Sequence, residues 1–215
     1  MIPIKYIFHT IIVPLSILIP LFAFILNYKF AKKESCTLFY YLIISGLINV
    51  IAIVIRRYHV SNLPLLHFYT LVETVFLLSY FRIIFHDPRL KKALLILSIL
   101  FPIVCIINFS FLQSIYTFNT YTRPLEALII TFFCLLYLYK SGFTENWISK
   151  PTSWFNMGIL IYFPVACIIF ILSNYLVFVR MNKEMNTIIW NIHAVFVMLM
   201  YLFWAKGFSL LKNGR

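Results

Sequence analysis

Seven long runs of apolar residues follow one another along the chain, and short polar segments separate them. The runs cover residues 6–28, 37–55, 64–85, 93–112, 124–140, 153–177 and 187–206. A helix of about 20 apolar residues crosses the hydrocarbon core of a bilayer, and each run reaches or approaches that length. The pattern predicts an all-α, polytopic membrane protein in which residues 1–215 form a single bundle of seven transmembrane helices.

Composition indicates a surface that faces lipid. The chain is 63% hydrophobic, 11% of its residues are charged, and its mean hydropathy is +0.95. A soluble domain carries about 25% charged residues. Because so few charged residues cannot cover a surface in contact with water, we expect the lipid bilayer to be the main partner.

The cations are distributed unequally between the two ends of the predicted helices. The formal net charge is +12. Twelve cations fall at one end, namely Lys29, Lys32, Lys33, Arg82, Arg89, Lys91, Lys92, Lys140, Lys150, Lys206, Lys212 and Arg215, and six at the other, namely Lys5, Arg56, Arg57, Arg123, Arg180 and Lys183. Cytoplasmic loops are enriched in Lys and Arg, so we predict the N-terminus outside and the C-terminus in the cytoplasm. The cations form no continuous face, which favours contact with anionic lipid over binding to nucleic acid.

A glutamate interrupts the third run near its middle. The run reads PLLHFYTLVETVFLLSYFRIIF, and its acid is Glu73. A charged group at the centre of a transmembrane helix costs roughly 3 kcal/mol. We therefore expect Glu73 to point into the bundle, where it is neutral, paired or hydrated.

Polar residues of other runs fall at a similar depth, in the half of the bundle that is predicted to face outside. This convergence predicts a polar pocket between the helices that opens to the outer leaflet. The predicted lining residues are Glu73, His67, Tyr69, Thr70, Asn49, Asn108, Arg123, Glu126, Trp190, Asn191 and His193.

Several of these residues also have structural explanations that stay open. Glu126 lies three residues after Arg123 in a first helical turn, where a carboxylate interacts favourably with the helix dipole and can pair with the arginine. His193 belongs to a stripe at helical spacing, which is typical of a packing face. Asn49 and Asn108 are suited to hydrogen bonds between helices.

Metal and cofactor chemistry have weak support in the sequence. No run has HxxxH, HExxH or paired-carboxylate spacing, so His9, His67 and His193 are candidate metal ligands by chemistry alone. Microbial rhodopsins bind retinal on a lysine in the middle of the seventh helix. Here Lys206, at the end of the last run, is the lysine of that run, which argues against covalent retinal. We expect no cofactor, leave a metal open and assign no catalytic residue.

Three segments carry a resemblance to a known group of proteins. NLPLLHFYTLVE near the third run, RPLEAL at the fifth and WNIHAVFVMLMY in the seventh resemble small seven-helix membrane proteins of unassigned function from Bacteroidetes-type bacteria. The resemblance implies a location in the bacterial inner membrane. It also puts weight on five residues, His67, Glu73, Arg123, Glu126 and His193, and it implies no particular chemistry.

Three functions follow from the predicted pocket. A ligand-sensing or receptor-like component needs no motif that the sequence lacks, and it would bind a small-molecule or lipid ligand and contact a cytoplasmic or membrane protein partner. A protonatable Glu73 near histidines also suits a small-solute or proton-coupled transporter. The same His and Glu residues suit an intramembrane lipid hydrolase, although the prediction leans against an enzyme.

Overall fold

Seven helices follow one another along the described part of the chain. The computed structural model describes residues 12–142, 147–180 and 183–213. The helices are α1 Val13–Phe30, α2 Lys33–Arg57, α3 Leu63–Ile84, α4 Pro88–Leu112, α5 Thr122–Ser141, α6 Pro151–Val179 and α7 Lys183–Ser209. By length and composition all seven can cross a membrane. This confirms the predicted all-helical fold with seven spans, and the chain is an integral multi-pass membrane protein.

The ends of the helices fall at local sequence signals. Pro64 occupies the first turn of α3, where its missing N–H removes no helical hydrogen bond. At the start of α4 the Asp87 carboxylate accepts a hydrogen bond of 2.9 Å from the backbone N–H of Arg89. That N–H and the Lys140 ammonium, 3.2 Å away, lower the pKa of Asp87. Gly142, with a φ of 53°, ends α5.

The α3 helix packs on three neighbouring helices, and α6 is the most buried of the seven. The α3 helix contacts α2, α4 and α5, while α6 lies between α5 and α7, and α1 packs mainly on α7. The α4 helix packs chiefly on α3 and presents a broad apolar face outwards. On that face Ile96, Ile99 and Ile103 are exposed, as expected for side chains in contact with acyl chains.

The two ends of the bundle differ in character. At one end, where α3, α5 and α7 begin, the segment 113–121 lies across the bundle; we name this the capped end. At the other, where these helices finish, Lys140 pairs with Asp87; we name this the basic end. The predicted assignment of the capped end to the outside stays a prediction.

Aromatic rings fill the half of the bundle towards the basic end. Phe155 and Phe208 lie 4.9 Å apart between ring centroids, and Phe24 stacks on Phe39 at 4.1 Å. The Trp204 indole N–H donates to the backbone carbonyl of Phe155 at 3.0 Å. This packed apolar half leaves the buried charges to the half towards the capped end.

Candidate functional site

A buried cluster of three charged residues lies between α3 and α5. The Nη1 atom of Arg123 donates to Oε2 of Glu73 and, at 2.6 Å, to Oε2 of Glu126. We name Glu73, Arg123 and Glu126 the ion cluster. Glu73 and Glu126 are 0% exposed and Arg123 is 1% exposed, so the cluster is removed from both water and lipid. With both carboxylates ionised it carries one net negative charge.

The local sequence explains how the ion cluster forms. Glu73 lies at the middle of α3, on a buried face that also carries Thr70 and Leu77. Arg123 and Glu126 are three residues apart near the start of α5, so both side chains leave the helix on the same side. The α3 and α5 helices are in direct contact, which places Glu73 within reach of the guanidinium.

Two phenols complete the surroundings of Glu73. The hydroxyls of Tyr41 from α2 and Tyr69 from α3 both contact Oε1 of Glu73, the latter at 2.9 Å. The two hydroxyl oxygens also lie 2.6 Å from each other. These three oxygens make three mutual contacts, but the two phenols supply two hydrogens. A proton on Oε1 of Glu73 would supply the third.

The contacts around Glu126 also need one hydrogen more than the hydroxyl there supplies. The Thr74 hydroxyl lies 2.8 Å from Oε1 of Glu126 and 2.7 Å from the backbone carbonyl of Thr70. A hydroxyl carries one hydrogen and can serve one of these acceptors at a time. A proton on Glu126 would satisfy both contacts, since Glu126 could then donate to Thr74 while Thr74 donates to the carbonyl. Each acid of the cluster therefore has a built hydrogen-bonding position for a proton.

An arm of hydrogen bonds connects the ion cluster to α6 and α7. The Nη2 atom of Arg123 donates to the Tyr162 hydroxyl at 2.9 Å, and that hydroxyl lies 3.1 Å from Nε2 of His193. The His193 ring is 5.5 Å from the Trp190 ring and 5.7 Å from that of Phe170. The network thus draws side chains from α2, α3, α5, α6 and α7.

The guanidinium also lies among aromatic rings. Its Cζ atom is 5.4 Å from the ring centroid of Tyr69, 5.9 Å from that of Phe163 and 5.3 Å from that of Phe170, within the range of cation–π attraction. Among the described residues the Nε–H of Arg123 has no hydrogen-bond partner.

Segment 113–121 covers the network at the capped end. The Asn119 amide donates to the Thr70 hydroxyl at 3.1 Å, and its oxygen accepts from the backbone N–H of Thr122 at 3.1 Å. Nε2 of His67 donates to the backbone carbonyl of Thr117 at 3.0 Å. The Asn174 side chain pairs with both the N–H and the carbonyl of Phe118, at 2.9 and 3.0 Å. The segment is therefore tied to α3, α5 and α6.

The predicted lining residues separate into those that share the network and those that do not. Four of them, Glu73, Tyr69, Arg123 and Glu126, contact one another, and His193 joins through Tyr162. Thr70 and His67 bind segment 113–121, and Trp190 packs on its Phe118 with ring centroids 5.2 Å apart.

The other predicted residues lie apart from the ion cluster. Asn49 is exposed, and its amide donates to the Ser45 carbonyl of its own helix at 3.1 Å. Asn108 is buried next to the π-helical end of α4, where its amide lies 3.4 Å from Gln113. Asn191 is half-buried on α7. His9 lies outside the described residues, and the described His, Cys, Asp and Glu residues form no group of three that could hold a metal.

Sequence reasoning missed the neutral partners of the charges. Tyr41, Tyr162, Thr74 and Asn119 all contact the network, yet none was predicted to line the site. The chain has 14 tyrosines, and the sequence LFYYL does not distinguish Tyr41, which is buried, from Tyr40, which is exposed. For Thr74 a signal existed, because it lies one residue after Glu73 and four after Thr70.

The residues of the network contact one another rather than line an open space. The pocket that opens to the outer leaflet therefore stays a prediction. Opening it would require the network to part. Comparisons of the chain with family models, with curated proteins and with solved structures find no match.

Proposed function

We propose that this chain is a proton-linked transporter of a small solute, and that the ion cluster is its proton-binding element. The observation that carries the proposal is the count of hydrogens: Glu73 and Glu126 share one guanidinium, and each has a hydroxyl contact that a bound proton completes. Uptake of one proton also removes the net charge of the cluster, which favours its burial at membrane depth.

Proton binding has a direct means of moving helices in this network. A protonated Glu73 no longer attracts Arg123 as an ion, so the contact between α3 and α5 weakens. The arm through Tyr162 and His193 passes any shift of Arg123 to α6 and α7. Deprotonation restores the ion pair. Such a two-state contact is the element that alternating access requires.

The test is an infrared pH titration of the purified protein, followed by flux measurements in vesicles that contain a pH-sensitive dye. We expect a protonated-carboxyl band that changes with pH and is lost or displaced in Glu73→Gln and in Glu126→Gln. Glu184→Gln is the matched control, because Glu184 is an exposed acid in the first turn of α7. Vesicles with the wild type should show solute-dependent proton influx that both cluster variants lose. A titration unchanged by either cluster variant would contradict the proposal.

A ligand-sensing role is the second candidate, and one observation favours it. The network joins five helices, so a ligand that displaces a single hydrogen-bond partner would shift several helices at once. A sensor would gain thermal stability with its ligand and show no solute-dependent flux. The lipid hydrolase, the bacterial inner membrane and the cytoplasmic C-terminus stay predictions, and no contact of the described residues favours a hydrolase.

A further inference from the structure

The donors of Arg123 are used unequally. Its Nη1 atom serves both carboxylates, its Nη2 atom serves the neutral hydroxyl of Tyr162, and its Nε–H has no partner among the described residues. The Nε–H and one N–H of Nη2 point in parallel from one edge of the guanidinium. That edge fits the two oxygens of a carboxylate, which arginine binds through two parallel hydrogen bonds.

An unused donor at this depth is costly. A buried polar group without a partner costs about 1–3 kcal/mol, and more when it is charged. The side chain is 1% exposed, so water does not serve the Nε–H from the surface. An anion on the Nε–Nη2 edge would supply the missing acceptor.

The surroundings of the guanidinium suit a carboxylate with an apolar body. The rings of Phe163 and Phe170 flank the guanidinium, and both side chains are almost fully buried. The Tyr162 hydroxyl takes a hydrogen bond from Nη2, the nitrogen that the second carboxylate oxygen would also bind. Nε2 of His193 lies 3.1 Å from that hydroxyl. Tyr162 can therefore keep a hydrogen bond with His193 when the anion replaces the hydroxyl on Arg123.

The charge of the ion cluster couples this anion to a proton. With both acids ionised the cluster already carries one net negative charge, and a bound carboxylate would double it. Binding one proton together with the anion leaves the net charge unchanged. The other ionisable groups around Arg123 are Tyr41, Tyr69, Tyr162 and His193, together with Tyr201, which interacts electrostatically with Tyr69.

From these contacts we infer that the ion cluster binds a monocarboxylate on the Nε–Nη2 edge of Arg123 and takes up a proton with it. The inference rests on the proposed function, since it names the class of solute that the transporter carries. A water-soluble carboxylate and the head group of a fatty acid share this chemistry.

The experiment is titration calorimetry of the purified protein with benzoate in two buffers of different ionisation enthalpy. Binding that takes up about one proton per benzoate, and that tightens as the pH falls, is expected from the linkage between the two sites. Decanoate in a parallel titration distinguishes the source: tighter binding of decanoate assigns a fatty acid, and tighter binding of benzoate a soluble acid. Chloride, which cannot form two parallel hydrogen bonds, should bind at least about tenfold more weakly.

Three variants make the outcome decisive. Arg123→Lys keeps the charge but lacks the two parallel N–H donors of the Nε–Nη2 edge. Benzoate should therefore bind to it at least about tenfold more weakly. Glu126→Gln should bind benzoate without proton uptake, because the excess negative charge is gone. Tyr162→Phe, which keeps the packing, should bind it equally or more tightly because the competing hydroxyl is absent.

The inference would be overturned if the wild type bound no carboxylate or bound benzoate without proton uptake. It would also be overturned if Arg123→Lys bound benzoate as tightly as the wild type, or if Tyr162→Phe bound it more weakly. The infrared titration of the unliganded protein separates the two proposals. A cluster that binds protons but no carboxylate leaves the proton-linked function standing and removes this solute class.

Discussion

Arg123 makes two acids tolerable in the centre of a membrane protein. A buried ion pair is weak evidence for stability, since apolar residues of similar volume are often as good. Removing one partner of such a pair is different, because it leaves the other charge buried alone. Here a single cation, Arg123, pairs with both Glu73 and Glu126, so its loss would leave two buried charges without a cation.

Replacing Arg123 alone should be strongly destabilising. We expect Arg123→Met to lower the free energy of unfolding by about 3–5 kcal/mol, measured by SDS titration. The triple variant with Glu73→Gln and Glu126→Gln removes all three charges and should regain most of that loss. Equal destabilisation of the single and triple variants would show that packing, and not charge, is what Arg123 supplies.

The two neighbouring tyrosines Tyr40 and Tyr41 provide a matched test of the phenol contacts. Tyr41→Phe removes a donor to Glu73 and should cost about 1 kcal/mol of unfolding free energy. Tyr40 is 57% exposed, so Tyr40→Phe should leave stability unchanged. If both variants unfold like the wild type, the Tyr41 hydroxyl contributes no net stability.

Among the helices, the contact of α6 with α7 depends on two small residues. A Cβ atom on Gly158 would lie 2.7 Å from the Trp204 ring, and one on Gly207 would lie 2.5 Å from the Phe155 ring. Both rings are fully buried, so moving them would disturb the close-packed interior around them. Small residues of this kind let transmembrane helices approach closely.

Alanine at these glycines should therefore separate the two helices. We expect Gly158→Ala and Gly207→Ala each to cost about 1–3 kcal/mol through overpacking, seen as a lower melting temperature in detergent. Gly46→Ala is the control, since its Cβ would meet its nearest neighbour, Ile17, at an ordinary 3.7 Å. A melting temperature unchanged in all three variants would contradict a tight contact.

Segment 113–121 owes its position to side chains more than to regular structure. Asn174→Ala removes both hydrogen bonds to the backbone of Phe118 and should accelerate deuterium exchange throughout the segment. Asn49→Ala removes an amide that bonds its own helix and should leave exchange in the segment unchanged. Unaltered exchange in Asn174→Ala would show that other contacts suffice to hold the segment.

The helices were predictable because the membrane imposes length and apolarity on each one. The observed helices also include polar flanks that a hydropathy reading omits: α4 begins at Pro88, ahead of the predicted run 93–112, because Asp87 caps it. The ion cluster was predictable in part, since an acid at mid-helix must find a partner. Which tyrosine and which threonine supply its hydroxyls depends on helix rotation, and apolar residues on every side of a transmembrane helix hide that rotation.

At the scale of the whole molecule, the uneven distribution of cations predicts orientation. Twelve cations are assigned to the predicted cytoplasmic end, and eleven of them lie within the described residues. All eleven lie at the basic end of the bundle. We expect a fluorescent protein fused to the C-terminus to fluoresce in cells and an alkaline phosphatase fused there to be inactive. The opposite pair of results would reverse the orientation and place the capped end in the cytoplasm.

The order in which the ion cluster is synthesised has a consequence for biogenesis. Glu73 leaves the ribosome fifty residues ahead of Arg123. The α3 and α5 helices, which supply the three charges, are also the two spans of lowest hydropathy. Until α5 follows, Glu73 must therefore enter the bilayer protonated or stay hydrated within the insertion machinery. A nascent chain that ends between residues 73 and 123 carries the acid without its cation, so α3 gains its charge partner only once α5 has been made.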